Sequence, residues 1–346
     1  MADFSRRSFL KTASLASAAA AAGTLGLYSS NSLGADVITL KYANNLPLQH
    51  PMNVQARKMA KAIKDETDGQ VILQVFPSSQ LGSDTDTLAQ VRSGAVDLFS
   101  LSPVILGTLV PAVQISAIGF AFKDYDTVWQ AMDGDLGAHV RGEIAKADGG
   151  KLFAFEKMWD NGYRVTTTST RAVATPEALK DMKLRVPPSP ILTSLFKAFD
   201  AAPTAINFSE VYSALQTRIV EGQENPLTLV DSAKLYEVQK YCSLTNHVWD
   251  GFWMLGNKEK FSRLSDAHQA VVTKHINAGI MAQRDDLAKL QSSIRDTLKG
   301  KGLEIVEAPP EPFRAKLASA NYYAEWQAKF GADAWAILEK YSGKLA

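Results

Sequence analysis

Cysteine is almost absent: the 346 residues hold one, Cys242. A lone thiol forms no internal disulfide and no thiolate metal cluster, and one so far from the N-terminus offers no lipid anchor there. It reads as a small buried hydrophobe. Histidine is also scarce, and His50, His139, His247, His268 and His275 show no paired ligand spacing. No metal is expected from them. Excess charge of either sign is missing too, since 37 basic and 36 acidic residues leave a net of +1. Without the export segment described below, 34 basic and 35 acidic residues remain, a net of −1. There is no basic stripe, so no nucleic-acid partner is expected. G-x-S-x-G, G-x-G-x-x-G, P-loop and H-E-x-x-H motifs do not occur. The sequence therefore lacks the marks of an enzyme and of a cofactor site.

Residues 1–35 are read as an export signal. Ser5-Arg6-Arg7-Ser8-Phe9-Leu10-Lys11 has the twin-arginine form and leads into a weakly apolar, Ala-rich stretch from Ala13 to Leu27. Cleavage is expected near Ser32-Leu33-Gly34-Ala35, and the expected destination is the periplasm. No later apolar run is long enough to cross a bilayer. With 46% apolar and 21% charged residues the remainder can bury a substantial core, and its length suggests two domains.

Along the chain, strand and helix alternate. Ile38–Ala43, Val71–Phe76 and Val96–Ser100 read as strands, and Pro51 to Thr67 and Ser83 to Arg92 as the helices between them. Ser83 with Asp86 makes a capping box. Such a βαβαβ unit implies a parallel sheet in an α/β protein. Gly150 to Phe155 reads as another strand. Crossings between two domains are expected at Trp159–Arg164 and at Thr245–Phe252. From Ser265 to about Lys299 there is no proline and only Gly279 as a weak breaker. A helix of about 33 residues there would span about 50 Å, enough to run behind both domains.

The stretch from Leu184 to Leu227 carries the candidate chemistry. Leu184-Arg185-Val186 is extended and stopped by Pro187-Pro188, and Ser189 and Pro190 open a helix. Arg185 thus sits at a strand-to-helix junction, where α/β sheets bind ligands. Its guanidinium offers two parallel donors matched to a carboxylate. Arg164, on the first crossing, either shares that task or ties the domains together. A further helix is expected from Ser209, and Gly222-Gln223-Glu224-Asn225-Pro226 reads as a polar loop. There Asn225 either donates to a carboxylate or forms a turn with Pro226. Trp159, Phe208, Trp249, Phe252 and Trp253 supply large rings that either pack a core or wall the ligand.

Several short motifs occur in one order: Asn161-Gly162-Tyr163-Arg164, Thr175-Pro176-Glu177, Leu184-Arg185-Val186-Pro187, Phe208-Ser209-Glu210-Val211-Tyr212, Ala214-Leu215-Gln216-Thr217, Gly222-Gln223-Glu224-Asn225-Pro226 and Thr245-Asn246-His247. From about Ile38 to the C-terminus the chain resembles the solute-binding proteins of TRAP transporters, the DctP-like family of periplasmic carboxylate uptake systems. The resemblance implies a two-lobed periplasmic-binding-protein fold with a long helix spanning both lobes. Lobe I is expected over 36–161 and 251–290, and lobe II over 162–250 and 291–346. It also implies that Asn45, Asp84 and Ser102 of lobe I face Arg185, Arg164 and Asn225 of lobe II across the ligand. Sialic-acid-binding members carry a glutamate where Ser102 stands, so sialic acid is disfavoured.

The expected function is capture of a small organic acid by its carboxylate and delivery to TRAP membrane permease subunits, by a protein expected to be a monomer. A monocarboxylate such as a 2-oxo or 2-hydroxy acid, with room for an apolar or aromatic tail, is favoured because no second unpaired cation stands out. The alternatives are a C4-dicarboxylate or sugar acid in the same system, a ligand-sensing partner of a receptor, and a periplasmic enzyme.

Overall fold

The computed structural model describes residues 37–345, so the signal expected over 1–35 lies outside the described residues. Nine strands form one mixed sheet: β1 (Ile38–Ala43), β2 (Val71–Phe76), β3 (Leu98–Leu101), β4 (Leu152–Thr168), β5 (Lys183–Val186), β6 (Ala202–Ala205), β7 (Gly222–Pro226), β8 (Tyr241–Asn257) and β9 (Glu304–Glu307). Their order is β2-β1-β3-β8-β4-β7-β5-β6, with β9 beside β8. β1 pairs in parallel with β2 and β3, as the βαβαβ alternation requires, and β5 pairs in parallel with β6 and β7. The helix Asp84–Ser93 begins with the expected box: Ser83 and Asp86 each accept from the other's backbone N–H.

Two long antiparallel strands join these parallel groups. β4 and β8 are each 17 residues, and each belongs to both halves of the sheet. The C-terminal part of β8 pairs with β3, while its N-terminal part pairs with β9 and with the C-terminal end of β4. The β4–β8 register shifts between Ala154 and Met158, between Asp160 and Gly162 and between Arg164 and Thr166. Bulges bend and twist a ladder locally, so the joint between the halves is the least regular part of the sheet. Gly162 adopts φ +110°, a conformation that side chains rarely take.

Two expectations are corrected. Gly222–Pro226 is a fully buried strand, β7, between β4 and β5, and not a polar loop. Its polar side chains are satisfied by partners that only the fold supplies: Gln223 Nε2 donates to Thr167 Oγ1 at 2.7 Å and Glu224 binds Arg164. The long helix is Asp266–Gln291, 26 residues, followed by a separate helix Ile294–Gly300. At the break, Ser292 and Ser293 hydroxyls donate to the carbonyls of Lys289 and Leu290 and so compete with the helical ladder. The longer helix packs on Pro51–Glu66 and on β4, and it reaches Leu227–Ser232 near its end.

That helix braces the irregular joint. Gln283 is fully buried; its Nε2 donates to Asp160 O at 2.7 Å and its Oε1 accepts from Asp160 N at 3.0 Å. Arg284 Nε donates to Met158 O, and its Nη atoms pair with Asp133. The peptide at the bulge thus finds in one glutamine the donor and acceptor the ladder denies it. Replacing Gln283 by Leu strands both groups, and the expected loss is about 3 kcal/mol of unfolding free energy, read as a lower urea midpoint with unchanged far-UV dichroism. An unshifted midpoint would show that the brace carries no stability.

Candidate functional site

The functional side chains converge where strands end and helices begin. Asn45 follows β1, Asp84 is the first residue of the capped helix after β2, and Ser102 follows β3 and caps Pro103–Leu106. Opposite them, β5 carries Arg185, β4 carries Arg164, β7 carries Glu224 and Asn225, and β8 carries His247 and Asp250. Asn45 and Ser102 follow the ends of the parallel strands β1 and β3, and Arg185 and Asn225 lie near the ends of β5 and β7, while Arg164, His247 and Asp250 lie within the antiparallel crossing strands β4 and β8.

The two arginines have different electrostatic situations. Arg164 is neutralised by two carboxylates. Its Nε donates to Glu224 Oε2 at 2.5 Å, its Nη1 to Asp250 Oδ2 at 2.5 Å, and its Nη2 to Glu224 Oε1 at 2.7 Å and Asn225 Oδ1 at 3.2 Å. Asp250 also accepts from Ser102 Oγ at 2.5 Å and from Asn161 Nδ2 at 3.0 Å. His247 Nε2 lies 3.1 Å from Glu224 Oε2, and its Nδ1 lies 2.8 Å from Thr245 Oγ1. Burial lowers the His247 pKa despite the neighbouring carboxylate, so the ring is neutral and Nε2–H is the donor to Glu224. Burial raises the Glu224 pKa, but the Arg164 guanidinium overrides it and holds the carboxyl down at about 2.

Arg185 is buried to 1% exposure and has no carboxylate within salt-bridge distance among the described residues. Its Nε donates to Ile206 O at 2.9 Å, and its guanidinium stands 6.0 Å from the Phe208 ring. Burial pulls its pKa down to about 10, helped by Arg164 and opposed by Glu224 and Asp84, so it is charged at neutral pH. A buried cation without a partner is costly unless an anion joins it. The arrangement can therefore hold one carboxylate strongly.

Arg185, Arg164, Asn225, Asn45, Ser102 and Phe208 line one cavity, together with Phe252, Leu229, Val104, Ile105, Pro187 and Asp250. Its volume is about 20 Å³, the space of roughly one water molecule. An organic acid enters only when the two halves of the sheet separate or the lining gives way. Asp84 is one hydrogen bond behind the wall, through Asn45. Trp159, Trp249 and Trp253 lie elsewhere, each buried in an apolar cluster, with Trp249 Nε1 donating to Asp160 Oδ1 at 3.0 Å. A wider hollow of about 580 Å³ lies on the outside, between Pro190–Ala198 and the C-terminal helices. Its Lys316 and Asp200 neutralise each other at 2.6 Å, so it holds no unpaired buried charge and is the poorer candidate.

Glu224 and His247 stand in the motifs of the sequence without a role at the site, and Asp250 in none. An acid is not sought at a site for anions, and only the pairing of β4 with β7 and β8 shows that Glu224 and Asp250 neutralise Arg164.

Two halves of one mixed sheet, joined by two crossing strands with an unpaired buried guanidinium at the joint, define a two-lobed solute-binding protein. The chain belongs to the bacterial extracellular solute-binding proteins of family 7, whose profile matches residues 42–329. It is 33% identical over 283 residues to the 2,3-diketo-L-gulonate-binding periplasmic protein YiaO of Escherichia coli, covering 82% of this chain and 84% of that one. Among solved structures, it resembles a TRAP periplasmic solute-binding protein of Polaromonas bound to D-erythronate, with 29% identity, a TM-score of 0.82 and coverage of 89% and 99%. A TRAP protein of Sulfurospirillum deleyianum with bound succinate matches at 26% identity and a TM-score of 0.81, covering 88% and 98%. This is accordingly a TRAP-type binding protein for organic acids, and its relatives are transport proteins rather than enzymes.

The Glu224–Arg164 pair makes a stability prediction. Because the folded carboxyl titrates near 2 and the free one near 4.5, its contribution is complete above about pH 4.5 and disappears as the pH falls toward 2. Glu224→Gln is expected to lower stability at pH 7 by about 3 kcal/mol. The difference between wild type and variant in urea titrations should shrink between pH 4.5 and 2; a difference independent of pH in that window contradicts the pairing.

Proposed function

We propose that this protein captures a small monocarboxylic acid by seating its carboxylate on Arg185, with Asn225 as a neutral second donor, and releases it to TRAP membrane permease subunits in the periplasm. The observation that carries this reading is the Arg185 guanidinium, buried in the cavity wall with no acidic partner among the described residues. Arg164 is already matched by Glu224 and Asp250, so it shapes the site and holds Asn225 without adding free positive charge. One unpaired cation favours one carboxylate and disfavours a C4-dicarboxylate. The rest of the wall combines Phe208, Phe252, Leu229, Val104 and Ile105 with polar Asn45 and Ser102. That mixture suits a short 2-oxo or 2-hydroxy acid better than a long polyol.

Binding is coupled to closure about the crossing strands. Lobe I comprises about 36–161 and 251–290 and lobe II about 162–250 and 291–346, and the acid bridges them. When they part, Arg185 is hydrated; when they close on a carboxylate, the anion replaces the water. The ligand thus binds the closed form better and shifts the population toward it. Micromolar affinity requires about 8 kcal/mol, within reach of an acid of about ten heavy atoms.

Arg185→Lys removes one prong of the fork and is expected to raise the calorimetric Kd at least about tenfold. In a thermal-shift screen of the unmodified protein, 2-hydroxy and 2-oxo acids should raise Tm more than succinate or sialic acid do. Unchanged affinity in the lysine variant excludes Arg185 as the anchor, and stabilisation by succinate alone excludes the monocarboxylate reading.

A further inference from the structure

Beside the unpaired cation stands an unusual pair of unpaired acceptors. Asn45 lines the cavity and is 6% exposed; Asp84 behind it is 2% exposed. Asn45 Nδ2 donates to Asp84 Oδ2 at 2.9 Å, and Asn45 Oδ1 and Asp84 Oδ1 are both buried without any hydrogen-bond partner. Buried polar atoms are nearly always satisfied, so an orphaned Asn45 Oδ1 in the wall of a binding site, with a second orphan one hydrogen bond behind it, calls for a donor from outside the chain.

The direction of the Asn45 amide follows from chemistry. An ionised carboxylate accepts hydrogen bonds and donates none, whereas an amide has one face of each kind. Turning the Asn45 amide over would set its Oδ1 against Asp84 Oδ2, two acceptors about 2.9 Å apart. Burial pushes the Asp84 carboxyl up to about 6, while Asn45 and Arg185 pull it back, so at pH 8 it is ionised and an acceptor only. Asp84 also caps no backbone beyond its own helix start, where Ser83 already serves as the N-cap.

Resting on the carboxylate reading above, we propose that Asp84 is a positioning residue that locks Asn45 with its carbonyl oxygen toward the ligand, making the site select acids that bring a hydroxyl donor, 2-hydroxy acids, over the corresponding 2-oxo acids. A hydroxyl next to the carboxylate donates to Asn45 Oδ1; a keto oxygen there meets acceptor against acceptor. Sites built to hydrogen-bond a substrate hydroxyl discriminate strongly against the analogue that lacks it, because their own polar group is then left unpaired.

The test is calorimetry at pH 8 with acids matched in carbon skeleton: lactate against pyruvate, and glycerate against hydroxypyruvate. In the unmodified protein the hydroxy member is expected to bind at least about tenfold more tightly. Asp84→Asn keeps the shape but supplies an N–H, which frees Asn45 to turn; the ratio should collapse to about threefold or less, chiefly through tighter binding of the oxo acid. Loss of the negative charge itself strengthens both acids alike and cancels in the ratio. Arg185→Lys should weaken both members and preserve the ratio. A wild-type ratio near one, or an Asp84→Asn ratio equal to that of wild type, overturns the donor rule while leaving the carboxylate anchor intact. Failure of every acid to bind overturns the anchor and the rule with it. The wild-type ratio is decisive alone should the variant not fold.

Discussion

Two guanidiniums line the same cavity, and the site depends on their unequal neutralisation. Arg164 meets two carboxylates, Glu224 and Asp250, and these are held by Ser102, Asn161 and His247. Arg185 meets a backbone carbonyl and an aromatic face. The first arrangement leaves no net positive charge for an added anion, because two carboxylates already face it. The second has charge and donors to spare in a buried place, where both are strongest. In the proposed cycle the uncompensated cation is hydrated when the two halves part, and the carboxylate of the ligand replaces that water when they close.

The sheet concentrates its irregularity where its two halves meet. β4 and β8 are long enough to belong to both halves, and the three register shifts between them concentrate irregularity at the joint. Gln283 and Arg284 brace that joint from the helix behind it, bonding the backbone at Asp160 and Met158. The closure proposed above would fall on these few peptides and leave the strand ends that carry Arg185 and Asn225 intact.

Much of this was legible in the sequence because it rests on local rules. β1 and β2 and the Ser83–Asp86 box came from period and capping, and Arg185 from a charged strand end cut off by two prolines. Where local rules failed, tertiary pairing had overridden composition. Gly222–Pro226 has the make-up of a turn and lies at the centre of the sheet, because Arg164 and Thr167 satisfy its polar groups. The expected single helix broke at two adjacent serines whose hydroxyls bond backwards to the chain. Trp159, Trp249 and Trp253 were flagged for their size, and size suits a core as well as a binding wall.

By itself, then, the sequence determined the family, the α/β alternation and the strand end that presents a guanidinium, since all of these are written in neighbouring positions. Only the tertiary structure decided which arginine is free. Neutralisation is a matter of distance in space, and Arg164 finds its acids 60 and 86 residues away, on strands whose order no local pattern records.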